Sequence, residues 1–320
     1  MSKVRFDEFE PVSEKAWKQK IQADLKGKDY NKTMLTPTDE GIDIKPFYHR
    51  DSHLDFKIPS PAKWFITKKL EVSDFKDISN LKAKGIEAFW LSTENSKDIP
   101  KAIKSTEIPF VVNLKHFKAD ELQLKENLTY AYDPIHQLAE TGNWFNDQTS
   151  DLKAHQDYVN KTRNLFVDAR LYHNAGANIT QQLAYTIAHL NTYLKNLKIH
   201  SKSLDTKLNI LIFTSIGPNY FFEIAKLKAF RLLVNSLCKN KNIAYDLKLF
   251  SEPGLHHMSI YDYNVNMLRS TTECMSAVLG GSDFICNKTY DEIFKNKNDF
   301  SDRIAKNQLL ILKHESYFDK

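Results

Sequence analysis

The sequence predicts an α/β chain folded as a (β/α)8 TIM barrel and preceded by an N-terminal arm, part helical and part extended. Three observations predict it. Eight short apolar runs recur from residue 63 onward with helical patterns between them. Setting aside an arm of about 60 residues leaves roughly 260 of the 320, close to the ~250 typical of such a barrel. Only nine glycines exist, and Gly176, Gly217 and Gly254 fall just after the fifth, sixth and seventh runs, on the loops where barrel enzymes carry their sites. An open doubly wound sheet would instead want a glycine-rich phosphate turn after its first strand, and none is there.

The arm, residues 1–60, opens with "VSEKAWKQKIQADLKG". Ser13 is placed to cap a helix, Trp17, Ile21 and Leu25 follow at four-residue spacing, and Gly27 stops it. That stripe is narrow. "LTPTDEGIDIKPFYHRDS" then reads as an extended crossing. In the barrel, residues 61–320, strands are expected at 63–67, 85–92, 108–114, 128–132, 164–172, 208–215, 245–251 and 282–287, each apolar and of strand length. After the fifth, Ile179, Leu183, Ile187, Leu190, Leu194 and Leu197 repeat at helical spacing behind a capping box of Asn178 and Gln181. Two comparable helices follow the sixth and seventh strands, the second terminated by Gly280 and Gly281.

Composition narrows the function classes. A net charge of +5 is small beside 45 basic and 40 acidic residues, so no nucleic-acid stripe is expected. Cys238, Cys274 and Cys286 form no CxxC or Cys/His pattern, which points to reduced thiols in the cytoplasm. No leader-like or bilayer-length apolar stretch occurs, so no membrane association is expected.

The polar candidates at the barrel mouth are Asp168, Arg170, Tyr172, His173 and Asn174 after the fifth strand, Ser215 and Asn219 after the sixth, and Glu252, His256, His257, Ser259 and Asp262 after the seventh. "SEPGLHHMS" invites a metal-site reading with Glu252 and one histidine as ligands, but adjacent histidines usually diverge and no third ligand has recognisable spacing. No metal is expected. Neither Ser215 nor Ser259 sits in a G-x-S-x-G elbow, and Asp133 in "YDPIHQLAETGNWF" reads as a helix cap rather than a general base.

Six separated blocks resemble the methylmalonyl-CoA mutase family: "GIDIKPFYHRDS", "YDPIHQLAETGNWF", "DARLYHNAGANITQQLAYTIAHLNTYL", "IGPNYFFEIAKLKAFRLL", "YDYNVNMLRSTTECMSAVLGGSD" and "RIAKNQLLILKHES". They are similar, in order, to segments of its substrate-binding half, and the match is strongest to the small, non-catalytic (beta) subunit of bacterial heterodimers. The resemblance implies a barrel that in active chains threads acyl-CoA along its axis toward an adenosylcobalamin carried by a C-terminal flavodoxin-like domain. It implies a methylmalonyl-CoA mutase large subunit as partner, with the arm wrapping it and Trp17, Ile21 and Leu25 part of the contact, and a place in propionate metabolism.

Departures from the active pattern set the functional expectation. Active members read Tyr-His-Met-Gln-Glu-Ala-Gly-Ala after the fifth strand, and that histidine hydrogen-bonds the acyl carbonyl. Anchored on Ala175, Gly176 and Ala177, the resemblance places Leu171 at the histidine and Arg170 at the tyrosine, and leucine has no donor. His173 lies two positions later, a neighbour of the site rather than its catalyst. Phe166 and Asp168 stand where active chains carry small axis-facing hydroxyls, and Tyr261 where they carry a glutamine. The family's cobalt-ligating Asp-x-His-x-x-Gly is missing from these residues, so the C-terminal cobalamin domain is expected to be absent, with adenosylcobalamin in the partner and none bound here. The resulting expectation is a small subunit with no catalytic residues of its own and a vestigial acyl-CoA pocket of Phe166, Asp168, Arg170, Tyr172, Asn174, Ser215, Ser259 and Tyr261. The alternatives are the acyl-CoA half of a split mutase with cobalamin supplied in trans, and an unrelated barrel hydrolase using Glu252 and His256.

Overall fold

The computed structural model describes residues 9–52, 58, 61, 63–70, 77–94, 107–118, 122, 124–197, 207–296 and 298–319. The chain divides into two compact units, Met1–Lys57 and Ile58–Lys320. In the first, α1 (Glu14–Asp24) starts where Ser13 accepts a hydrogen bond from the Ala16 amide at 3.2 Å. The helix buries no residue of its own: Trp17 is 46% exposed and stacks on Phe47 at 4.6 Å, while Ile21 and Leu25 are half-buried. A short α2 (Tyr30–Met34), an antiparallel bridge between Thr36 and Ile44, and a 3-10 turn at Arg50–Ser52 complete this unit.

The second unit holds eight strands: β1 (Phe65–Leu70), β2 (Ala88–Thr93), β3 (Phe110–Leu114), β4 (Leu128–Ala131), β5 (Asn164–Asp168), β6 (Leu208–Ile216), β7 (Tyr245–Pro253) and β8 (Phe284–Cys286). Every ladder is parallel and the order is β4-β3-β2-β1-β8-β7-β6-β5, a nearly closed (β/α)8 barrel. Parallel strands covered on both faces read as continuous apolar runs, which is why β5 is buried at all five positions. The described helices of this unit are α3 (Ile78–Ala83), α4 (Pro134–Thr141), α5 (Gln148–Thr162), α6 (Arg170–Asn174), α7 (Ile179–Asn196), α8 (Tyr220–Asn240), α9 (Val265–Gly280) and α10 (Asp299–His314). The capping box of α7 forms as the sequence predicts, and Gly281 ends α9 at φ 87° in the left-handed region.

Among the strand limits that differ from the sequence reading, two have a side-chain cause. β5 stops at Asp168 rather than at residue 172, because the Asp168 carboxylate accepts the Arg170 amide at 3.2 Å and turns the chain into α6. β1 extends through Lys68 and Lys69 because both charges have outlets: Lys68 pairs with Asp302 at 2.9 Å, and the Lys69 ammonium lies 5.5 Å from the Trp90 ring centroid.

No ladder joins β4 to β5, and side chains lace that seam instead. Asn164 Nδ2 and the Tyr158 hydroxyl both donate to the Tyr130 carbonyl, at 3.4 Å and 2.6 Å. At the upper end the Asp168 amide donates to Asp133 Oδ2 at 2.8 Å. Asp133 caps α4, as its position suggests, and also takes hydrogen bonds from His189 at 2.9 Å and Tyr193 at 2.5 Å. Burial would raise this carboxyl, but His189 outweighs it and holds it well below the usual carboxylate range.

Candidate functional site

The apolar interior has two parts. One fills the space between strands and helices; the other stands apart inside the barrel and consists of Trp90, Val111, Ala131, Phe166, Leu211, Phe213, Phe250 and Cys286, with Phe284 against it. None of the eight is more than 5% exposed. Phe213 lies 4.0 Å from Phe250 and 5.2 Å from an edge-on Trp90, so aromatic rings contributed by β2, β6 and β7 meet inside the barrel. The bore is closed by side chains.

Arg170 lies over this plug. Its guanidinium is 3.8 Å from the Phe213 ring centroid and 5.0 Å from that of Trp90. It pairs with Asp168 at 2.6 Å and Glu252 at 3.1 Å, and Lys288 adds a second cation to Glu252 at 2.8 Å. Burial would raise both carboxyls; Arg170 at Asp168, and Lys288 then Arg170 at Glu252, reverse that and hold them ionised below the usual range. The rim therefore carries two cations against two anions, paired with one another. An open cleft of about 300 Å³ between β1, β8 and α10 has Lys68, Lys69, Lys288 and Lys306 on its walls and reaches Glu252 of the cap and Cys286 of the plug.

A second polar group surrounds His173 on α6. The ring is 3% exposed, its Nδ1 sits 3.2 Å from Gln182 Nε2, and its Nε2 has no hydrogen-bond partner among the described residues. Gln182 is held by donation to the Ala177 carbonyl at 2.7 Å and by acceptance from Lys226 at 2.9 Å. Lys226 is wholly buried, bonds the Ser215 carbonyl at 2.7 Å and pairs with Glu223 at 2.6 Å. Burial, then Lys226, push His173 down to about 2, so its ring is neutral. The loop after β7 brings His257 and the exposed His256 alongside, and His257 Nε2 meets Glu273 Oε1 at 2.6 Å.

The sequence candidates separate into these surroundings. Phe166 belongs to the plug; Asp168, Arg170 and Glu252 form its cap. Tyr172 turns outward, its hydroxyl 3.0 Å from His189 Nδ1, and the neighbouring Leu171 is half-buried. Asn174 accepts the Leu255 amide at 3.0 Å, and Ser215 is buried beneath Lys226. Asn219 caps α8. On the loop before α9, Ser259 accepts the Asp262 amide at 3.4 Å, while Tyr261 is fully exposed. No single open pocket gathers the eight residues of the expected acyl-CoA set. Sequence reasoning missed Lys226, Glu223, Gln182 and Lys288. The first two were within reach: Leu227, Phe230, Val234 and Cys238 mark the buried stripe of α8, and helical spacing carries it back to Lys226 and Glu223.

Comparisons with known proteins follow the sequence signal. The profile of the family described as Methylmalonyl-CoA mutase matches residues 129–320. The methylmalonyl-CoA mutase small subunit of Porphyromonas gingivalis is 30% identical over 98% of this chain, which spans 59% of that protein. The methylmalonyl-CoA mutase of Rhizobium meliloti is 37% identical over 45% of the chain, which corresponds to 21% of its own length. Among solved structures, a dihydropteroate synthase from Thermus thermophilus aligns with 79% of this chain and 95% of its own at 11% identity and a TM-score of 0.42, a likeness that carries no argument. No helix among the described residues is long and apolar enough to cross a membrane. A profile match over its C-terminal three-fifths and 30% identity along almost the whole chain lead to one assignment: the chain belongs to the methylmalonyl-CoA mutase family.

Proposed function

We propose that this chain is the small subunit of an adenosylcobalamin-dependent methylmalonyl-CoA mutase, and that it supports a catalytic large subunit without rearranging substrate itself. The observation that carries this reading is the blocked axis. Phe166, Phe213, Phe250 and Trp90 occupy the bore under a paired Arg170, and a pantetheine tail entering along it would have to displace side chains that are no more than 4% exposed. Displacement would forfeit their buried apolar contacts, about 1.5–3 kcal/mol for each large side chain returned to water. The residue that the resemblance places at the acyl carbonyl, Leu171, cannot polarise it.

Cobalamin binding belongs to the partner in this proposal. The mouth that would face a corrin is filled by the Arg170, Asp168, Glu252 and Lys288 pairs, and the aromatic cluster lies beneath Arg170. The residues present do not fit that arrangement, and no chemical step is assigned to this chain. The same closed bore weighs against the split-mutase alternative, in which this chain would hold the acyl-CoA.

The test is direct. The isolated full chain, supplied with methylmalonyl-CoA and adenosylcobalamin, is expected to show no isomerisation, and co-expression with the large subunit is expected to yield a stable complex on size-exclusion chromatography. Turnover by the isolated chain, or failure to associate, would overturn the proposal. Leu171→His alone is expected to leave turnover at zero, since the plug remains.

A further inference from the structure

Beside the bore, and independent of the subunit reading, three imidazoles converge. One ring nitrogen from each of His173, His256 and His257 lies within 4.8 Å of the other two. The three come from different places: His173 from α6, the others from the loop between β7 and α9, so only the fold unites them. Two of their nitrogens are buried without partners among the described residues, His173 Nε2 and His257 Nδ1. A buried, unpaired ring nitrogen forfeits its hydrogen bonds to water with nothing in return, and here two such atoms sit in one cluster.

We propose that His173 Nε2, His257 Nδ1 and His256 bind a divalent d-block cation, with Zn2+ as the ordinary occupant. The donor set is entirely imidazole, which suits zinc and its neighbours and disfavours magnesium or calcium, whose sites are built from oxygens. The surroundings are those of a ligand shell. Glu273 Oε1 takes the distal His257 Nε2–H at 2.6 Å, the carboxylate-histidine support that orients metal-bound imidazoles. A glycine gives the rings room: a Cβ on Gly254 would collide with the His173 ring and lie 3.1 Å from His257 Cε1. Three protein ligands leave a fourth position open, and His256 is the exposed member of the cluster.

Ligation requires one local change. Through Nε2, His173 keeps its proton on Nδ1, so Gln182, whose Nε2 now lies 3.2 Å from that atom, has to turn its amide and present Oε1. The turned amide gives up its bonds to the Ala177 carbonyl and to Lys226 and has to move off both, while Lys226 keeps the Ser215 carbonyl and Glu223 as partners. Neither Asp168 nor Glu252 takes part, since both are committed to Arg170.

The experiment uses the full chain with any affinity tag removed and stripped of metal by dialysis. Zn2+ titrated by calorimetry is expected to bind at one equivalent, and Co2+ to give the intense visible absorption of a four-coordinate nitrogen site. His256→Ala, at an exposed position where folding is not at stake, is expected to weaken Zn2+ binding by at least tenfold. Glu273→Gln, which keeps the shape of the side chain, should weaken it by about tenfold, the lower end of the effect of removing a ligand's carboxylate support. Circular dichroism of both variants confirms the fold. Absence of stoichiometric Zn2+ binding by the parent chain, or undiminished binding by folded His256→Ala and His257→Ala variants, overturns the proposal.

Discussion

Arg170 is held from two sides, by aromatic faces below and carboxylates beside it, and the balance of its surroundings depends on a single positive charge. Arg170→Met removes the cation and leaves Asp168 without its ion-pair partner in a nearly dry site. Breaking a buried pair in this way is expected to cost about 3–5 kcal/mol, read as a lowered urea midpoint at unchanged m-value. Arg170→Lys is expected to recover little of that loss, because an ammonium cannot bridge two carboxylates in a plane while stacking on Phe213. His155 offers a different case. It stacks on Tyr193 at 3.7 Å, and burial pushes it down to about 3 from a usual 6.5. The unfolded chain then takes up a proton that the folded chain refuses, so this residue draws stability away as pH falls from 6.5 toward 3. His155→Phe is expected to flatten that part of the curve in urea unfolding measured at successive pH values. Not all such roles were legible in the residues. Asp133 announces its cap through the following Pro134, but its contacts to His189 and Tyr193 span more than fifty residues and leave no local trace.

At the scale of elements, the parts with strong periodicity were the parts the sequence revealed. All eight strands lie at or beside their expected places, and α7 begins with the capping box that Asn178 and Gln181 announce. Asn178→Ala removes one side of that reciprocal cap and is expected to cost about 1 kcal/mol, measured as a lower thermal midpoint with little change in native helicity. Where the sequence misled, a side chain overrode a pattern: the apolar run through residue 172 continues past the strand because Asp168 captures the next backbone amide. The histidine cluster shows a further reason for illegibility. His256 and His257 are adjacent, a spacing that argues against shared ligation, and the third member stands more than eighty residues earlier. Only the pairing of β5 and β7 on either side of β6 makes the three neighbours.

For the whole molecule, acid is the condition that tests its buried charges together. Asp133, Asp168 and Glu252 all have folded-state values below their ordinary ones, so their contribution is present above the unfolded carboxylate range near pH 4 and is lost as pH falls through the lower folded values. Stability is expected to decline from pH 6.5 as His155 and His173 are penalised and steeply below about 4 as these carboxylates protonate, a two-stage curve that Asp168→Asn should blunt at its acid end. The overall fold class and the blocked bore could be anticipated from eight apolar runs and from Phe166. The full plug could not, because Phe213 and Phe250 are as ordinary in a strand's sequence as any outward-facing aromatic, and only register decides which of them points to the axis.

The junction of β4 and β5 gives the cylinder a built-in parting line. Backbone amides along the other seven junctions are protected by cooperative rows of carbonyl partners, whereas here a few side-chain tethers hold two staves together. Deuterium exchange should therefore penetrate at this margin first, and Tyr158→Phe should speed uptake in β4 while leaving β6 and β7 as slow as before.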